Sequence, residues 1–315
     1  MVRIAFKRSV TPMRESLLLR RIIAHWQAYL FLVPAVLYFA IFHYGPMYGI
    51  QIAFRNFNAT AGIWGSPWVG LAHFERLFLS PLFVNILQNT VLLSVLNLLI
   101  GFPIPILFAI LLNQISRPRL KKAIQTISFA PFFVSIVVVV AIMFVFTYLQ
   151  TGVINIIIDI LGGDRIHFFG RAEWFRPLFI ISEVWQRTGW DSIIYIAALV
   201  SISPELHEAA MADGASKLRR IIHIDIPSII PTVVVMFVLR AGQLMSLGFE
   251  KAFLMQTPLN LETSEIIATY VFRMGVRQGQ FSFAASAGLF NSVVNLTLIL
   301  LVNQICRKLS GKGLW

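Results

Sequence analysis

From Ser203 to Pro227 the chain reads SPELHEAAMADGASKLRRIIHIDIP. Ser203 followed by Pro204 and Glu205 is a helix-start pattern: a capping residue type, a proline suited to the first turn, and an acid near the positive end of the helix. Glu208-Ala209-Ala210-Met211-Ala212 consists of strong helix formers. Asp213-Gly214-Ala215 then breaks the run, because Gly214 tolerates a backbone turn that other residues resist. Lys217, Leu218, Arg219 and Arg220 start a second helix, which passes through Ile224 and Pro227 into a long apolar stretch. The segment predicts a short helix–Gly–helix elbow. Its small side chains allow another protein's surface to approach closely.

The residues around the elbow fix its setting. Of the 315 residues, 57% are apolar and 13% charged, against about 45–50% and roughly 25% in an ordinary soluble domain. That much apolar surface cannot be hidden inside a soluble globule of this size. A single cysteine, Cys306, excludes an intrachain disulfide framework. Six stretches reach the roughly 20 apolar residues that a helix needs to cross a bilayer: 28–54, 83–114, 123–149, 177–202, 226–249 and 281–305. The expected fold is an all-α integral membrane protein with six transmembrane helices in a domain over 28–306. The elbow, 203–225, lies between the fourth and fifth. Residues 1–27 are expected to form a cytoplasmic segment with an amphipathic interfacial helix, and 307–315 a cytoplasmic tail. Gly101, Pro103, Pro105 and Pro131 mark kinks.

The formal net charge of +12 would suggest nucleic acid in a soluble protein. Here its distribution says otherwise. Sixteen of the 26 Lys and Arg fall on the side that carries the elbow and both termini, and eight on the other; Arg187 and Arg240 lie inside spans. With acids included, the elbow side carries +11 and the opposite side +1. The positive-inside rule then places the elbow and both termini in the cytoplasm. No nucleic-acid partner is expected, and the basic residues near the elbow suit membrane lipid phosphates.

The chain has no G-x-x-x-x-G-K-[ST] loop, no H-E-x-x-H, no paired Cys–His ligands and no G-x-S-x-G elbow. No catalytic residue, metal site or cofactor is expected on it.

Glu208, Ala209, Ala210, Gly214, Ile224 and Pro227 match the pattern E-A-A-x-x-x-G-x₉-I-x-L-P, with Ile226 in place of the usual leucine. In this the chain resembles the permease subunits of type I ABC importers. The stretch 28–57, with Leu32-Val33-Pro34 and Tyr44-Gly45-Pro46-Met47-Tyr48-Gly49, is similar to the subgroup that imports oligo- and polysaccharides, including alginate. The resemblance implies a bacterial inner-membrane protein that forms half of a translocation pathway. Its implied partners are two ATPase subunits carrying ATP and Mg, a second permease subunit expected to be a different chain, and an extracytoplasmic solute-binding protein. Glu208, Ala209, Ala210, Asp213, Gly214, Ala215, Ile224 and Pro227 would contact an ATPase. A secondary transporter and a membrane-embedded enzyme of polysaccharide synthesis are the alternative readings. The first lacks a use for the elbow. The second would need clustered inner acids with metal-ligand spacing, whereas the inner acids are mostly in the elbow.

Charges at membrane depth usually face a cavity or each other. Glu183, Arg187 and Asp191 recur at four-residue spacing along one face of the fourth span, with Trp185 and Trp190 nearby. Arg240 sits in the fifth span with no acid one turn away on its own helix, followed by Gln243. These seven residues are the candidate substrate path for an oligosaccharide. A self-neutralising ladder that only fixes packing is the other reading of Glu183 and Asp191. An unpaired inward arginine would favour an acidic sugar chain. Asn85 with Asn89, and Asn291 with Asn295, are amide pairs suited to hydrogen bonds between helices.

Overall fold

The computed structural model describes residues 24–246 and 248–310. The expected N-terminal interfacial helix and the end of the C-terminal tail lie outside them. Among the described residues the chain is helical, with β pairing limited to two isolated bridges, Arg55 with Trp68 and Asn58 with Gly62.

Four helices are long and apolar enough to cross a membrane by themselves: Trp26–Phe54, Pro81–Asn113, Lys217–Ala241 and Phe281–Lys308. The count rises to six if each of two bent pairs makes one span. The first pair is Pro118–Phe133 with Ile136–Thr147, bent by 99°. The span expected over 123–149, with a kink at Pro131, is therefore broken outright at that point. Pro131 opens a tight 3₁₀ turn, Ala130–Phe133, after which the backbone becomes extended at Val134. Ser135 restarts the helix by accepting the Val138 N–H. The second pair joins Ala172–Val200 to Pro204–Ala212 across a 67° bend. Ala172–Val200 is long enough alone, but Glu183, Arg187 and Asp191 interrupt its apolar stretch. The break expected at Gly101 and Pro103 falls at Phe102, where Pro81–Gly101 passes into Pro103–Asn113.

Three buried clusters hold these helices. Leu93, Val140, Phe175, Phe179 and Ile180 meet Ala252, Met255 and Ile266 from the segment after the fifth apolar stretch. Leu77, Phe83, Ile86, Tyr270, Phe283 and Ala287 fasten the last helix. Ala109, Ile110, Tyr195, Leu199 and Ile229 join the ends of Pro103–Asn113, Ala172–Val200 and Ile226–Ala241 next to the elbow. Two helices cross closely at Gly189, where an added Cβ would lie 2.0 Å from the Ser128 carbonyl oxygen. The Trp26–Phe39 helix buries none of its residues within the chain. Its apolar side chains face outward, as they would against lipid or another subunit.

Candidate functional site

The elbow forms as its residues dictate. Pro204–Ala212 is a helix with Ser203 at its N-cap. Ser203's side chain makes no capping hydrogen bond, although its carbonyl accepts the Leu206 N–H at 3.2 Å. At the other end the Ala215 N–H donates to the Ala210 carbonyl at 2.8 Å and the Gly214 N–H to the Met211 carbonyl at 3.0 Å. This is a Schellman closure, which needs a left-handed residue past the last turn. Gly214 supplies it, with φ +75°. Ser216 then accepts the Arg219 N–H and starts Lys217–Arg220. Two local motifs thus set the elbow's angle without help from the core.

Glu208, Ala209, Asp213, Gly214 and Pro227 are exposed, whereas Ala210, Ala215 and Ile224 are half-buried. Ala210, Asp213, Ala215 and Ile224 line a hollow together with Arg219, Arg220 and His223. The spacing read from the sequence thus brings four of the eight named elbow residues to one hollow. The hollow between them mixes cations with small apolar side chains.

The intramembrane charges gather elsewhere. A cavity of about 230 Å³ is lined by Glu183, Arg187, Arg240 and Gln243, with Ser94, Asn97 and Ser246. Arg187 stands between the two carboxylates of its own helix, 3.7 Å from Glu183 and 3.4 Å from Asp191. Arg240 is paired: its guanidinium contacts the Asp191 carboxylate. The expectation of an unpaired arginine is corrected here. The acid comes from the neighbouring helix, 49 positions earlier, and a search along Arg240's own helix could not see it.

Lys251 is the residue that the sequence reading missed, having counted it as an outer-loop charge. It is 2% exposed. Its Nζ donates to Glu183 Oε2 at 2.9 Å and to the Phe179 carbonyl at 3.1 Å, and sits 4.7 Å from the centre of the Phe179 ring. The only signal was the short apolar helix around it, Phe249–Met255, which buries Ala252 and Met255. Three cations and two carboxylates therefore converge, leaving one positive charge in excess. Ser94 Oγ and Asn97 Oδ1 at the cavity wall are buried with no hydrogen-bond partner among the described residues.

The two tryptophans stand apart from this cavity. Trp185 lines an apolar groove with Ile100, Ile104 and Ile181. Trp190 stacks flat on Phe132, ring centres 4.4 Å apart and 2° from parallel. Gln186, between them in sequence, donates to the Val134 carbonyl at 2.9 Å and so satisfies the break in the preceding helix.

One member of each amide pair acts as a packing group, whereas Asn291 Oδ1 is buried with no hydrogen-bond partner among the described residues. Asn89 donates to the Glu262 carbonyl at 2.7 Å and accepts from Arg176 at 2.9 Å. Asn295 accepts the Met245 N–H at 3.0 Å. Near Asn89, in the segment between the last two apolar helices, Glu265 contacts Arg273. Burial pushes the Glu265 carboxyl up from its ordinary range, and the Arg273 guanidinium draws it back down. Among the described residues no group of three or more His, Cys, Asp or Glu is arranged to hold a metal ion.

Comparison with known proteins agrees over most of the chain. Residues 101–311 match the family described as binding-protein-dependent transport system inner membrane component. The polygalacturonan/rhamnogalacturonan transport system permease protein YteP of Bacillus subtilis is 43% identical over 302 residues, covering 96% of this chain and 94% of that protein. Protein LplB of the same species is 44% identical over 287 residues, covering 91% and 90%. Among solved structures, a chain of a bacterial alginate ABC transporter, crystallised with its alginate pentasaccharide-bound periplasmic protein, superposes with a TM-score of 0.87. It is 39% identical and covers 94% of this chain and 99% of that one.

Proposed function

The chain belongs to the binding-protein-dependent transport system inner membrane component family, and from that membership we propose that it is the permease subunit of an importer for an acidic oligo- or polysaccharide. Relatives of this chain are named as permease proteins of polygalacturonan/rhamnogalacturonan and arabinooligosaccharide transport systems. The observation that carries the substrate class is the cavity lined by Arg187 and Arg240 against Glu183, with Asp191 and Lys251 paired to its lining residues from behind and Ser94 and Asn97 in its wall. A uronate unit has one carboxylate to meet the excess cation and several hydroxyls to meet the free polar groups. Two similar proteins carry names or titles that specify acidic polysaccharides, polygalacturonan and alginate.

In this reading six spans enclose half of a translocation path, with both termini and the 203–225 loop in the cytoplasm. The elbow residues Glu208, Ala209, Ala210, Asp213, Gly214, Ala215, Ile224 and Pro227 dock in a groove of a separate ATPase. Two such ATPases hold the ATP and Mg, so this chain performs no hydrolysis and needs no cofactor. A second, different permease completes the path. A solute-binding protein delivers the sugar on the opposite face. ATPase closure moves the elbow, and the bend at 201–203 carries that movement into Ala172–Val200 and its Glu183–Arg187–Asp191 row.

The test is reconstitution of the full complex in proteoliposomes with candidate binding proteins. Binding-protein-stimulated ATP hydrolysis and uptake are measured across acidic and neutral oligosaccharides of equal length. Uronate oligomers should be taken up at least tenfold faster than neutral ones. Equal rates would remove the acidic-substrate reading and keep the importer. Uptake by this chain alone, without ATPase subunits, would overturn the whole assignment in favour of a secondary transporter.

A further inference from the structure

Asp225 is fully buried, and its carboxylate is held from two directions by elements distant in sequence. Gln114, at the C-cap of Pro103–Asn113, donates from Nε2 to Oδ2 at 3.0 Å. His207, on the elbow helix, places Nε2 at 3.3 Å from Oδ1. Asp225 itself closes a π-helical turn, Ile221–Asp225, at the base of the helix Ile226–Ala241. Such a turn carries an extra residue and often marks a functional position, because it rotates one side chain out of the regular register. Among the described residues Oδ1 has no hydrogen-bond partner; the His207 approach is an ion-pair contact.

The consequence is mechanical. The elbow is linked by chain to Ala172–Val200 and to Lys217–Ala241, and has no covalent connection to Pro81–Asn113. Asp225 supplies a noncovalent link through its side chain. Directly inside it, Ala109, Ile110, Tyr195, Leu199 and Ile229 pack the ends of those helices into one apolar cluster. A buried carboxylate that loses a partner is costly, so the contact resists parting when the elbow is displaced.

We propose that Asp225, with His207 and Gln114 as its two ends, is a positioning latch that makes the elbow and the ends of the second and fifth apolar helices move as one body. Small movements at the elbow then reach two walls of the polar cavity, through Ser94 and Asn97 on one side and Arg240 on the other. This rests on reading the elbow as the ATPase contact.

The test uses the complete reconstituted complex and reads saccharide taken up per ATP hydrolysed, at matched membrane levels. His207→Leu removes the imidazole contact from a half-buried position where folding should survive. It should lower the ratio at least fivefold. His207→Gln supplies an N–H in its place and should stay within twofold of the unsubstituted complex. Gln114→Leu should behave as His207→Leu does. An unchanged ratio in both leucine variants overturns the latch, as does a glutamine variant no better than leucine. A parallel fall of uptake and ATP hydrolysis, with the ratio constant, also overturns it, since that marks a merely structural role. Gly214→Asp is the reference for the elbow. If it leaves the ratio unchanged, the elbow reading itself fails. If it lowers the ratio while His207→Leu does not, only the latch fails.

Discussion

Lys251 Nζ lies 2.9 Å from Glu183 Oε2, joining two residues 68 positions apart and placing a buried ammonium against the wall of the polar cavity. Removing one partner of a buried ion pair leaves an uncompensated charge, at a cost on the order of 3–5 kcal/mol. Glu183 retains 19% side-chain exposure, so the low end applies, about 3 kcal/mol. Lys251→Met should therefore lower the thermal midpoint in detergent and reduce uptake. Adding Glu183→Gln should recover much of the stability, because no buried charge is then stranded. A double variant as unstable as the single one would show that the pair is not the relevant interaction.

Arg240 answers a different question. Its pairing with Asp191 means that Arg240→Ala strands no lone carboxylate, because Arg187 also stands 3.4 Å from Asp191. Stability should change little. Uptake of uronate oligomers should fall at least tenfold, with neutral oligomers reduced less than threefold. Competition assays with mixed acidic and neutral sugars measure the split, and equal loss for both would remove the charge argument.

Gly214 has φ +75°, and an added Cβ there meets nothing within 4 Å. The penalty for substitution is therefore backbone strain alone, on the order of 1–2 kcal/mol for an ordinary residue. Gly214→Val should deform the elbow and uncouple ATP hydrolysis from uptake while leaving the protein in the membrane. Gly214→Asn should be milder, because asparagine adopts the left-handed conformation more readily. Uptake per ATP in the two variants checks the order.

Gly189 is the reverse case. Its added Cβ would stand 2.0 Å from the Ser128 carbonyl oxygen and 2.9 Å from the Phe129 nitrogen, and both are backbone atoms. The helix crossing must open to admit it. Overpacking of this kind costs about 1–3 kcal/mol. Gly189→Ala should lower the thermal midpoint by several degrees and disturb the nearby Trp190–Phe132 stack, which tryptophan fluorescence would report.

The elbow was legible because its information is local. The glycine turn and the start of the second helix each depend on residues within about six positions of one another, and the structure places them accordingly; Ser203 stands at the expected N-cap but its side chain makes no capping bond. The kinks were legible for the same reason: proline and glycine act on their own backbone. The third apolar stretch was read as one span kinked at Pro131, because hydropathy records composition and does not size a bend. The direction the chain takes after Pro131 depends on Gln186 satisfying Val134 from another helix.

The polar cavity divides along the same line. The row of Glu183, Arg187 and Asp191 follows from helical spacing and could be written down from the sequence. Their partners could not, because Arg240 and Lys251 approach from elements 49 and 68 positions away. Lys251 passed for a loop charge since its window is short and only moderately apolar.

By itself the sequence determined that this is a helical membrane protein, which side of the membrane it expects to be cytoplasmic, and where an elbow of family-defining pattern stands. Those properties are sums over composition or products of short-range backbone geometry. The tertiary structure decided which charges neutralise one another, that Trp185 and Trp190 lie away from the cavity, and that His207 and Gln114 meet on Asp225. Ion pairs and buried hydrogen bonds form between whichever groups packing brings within about 3 Å, and sequence separation does not constrain that distance.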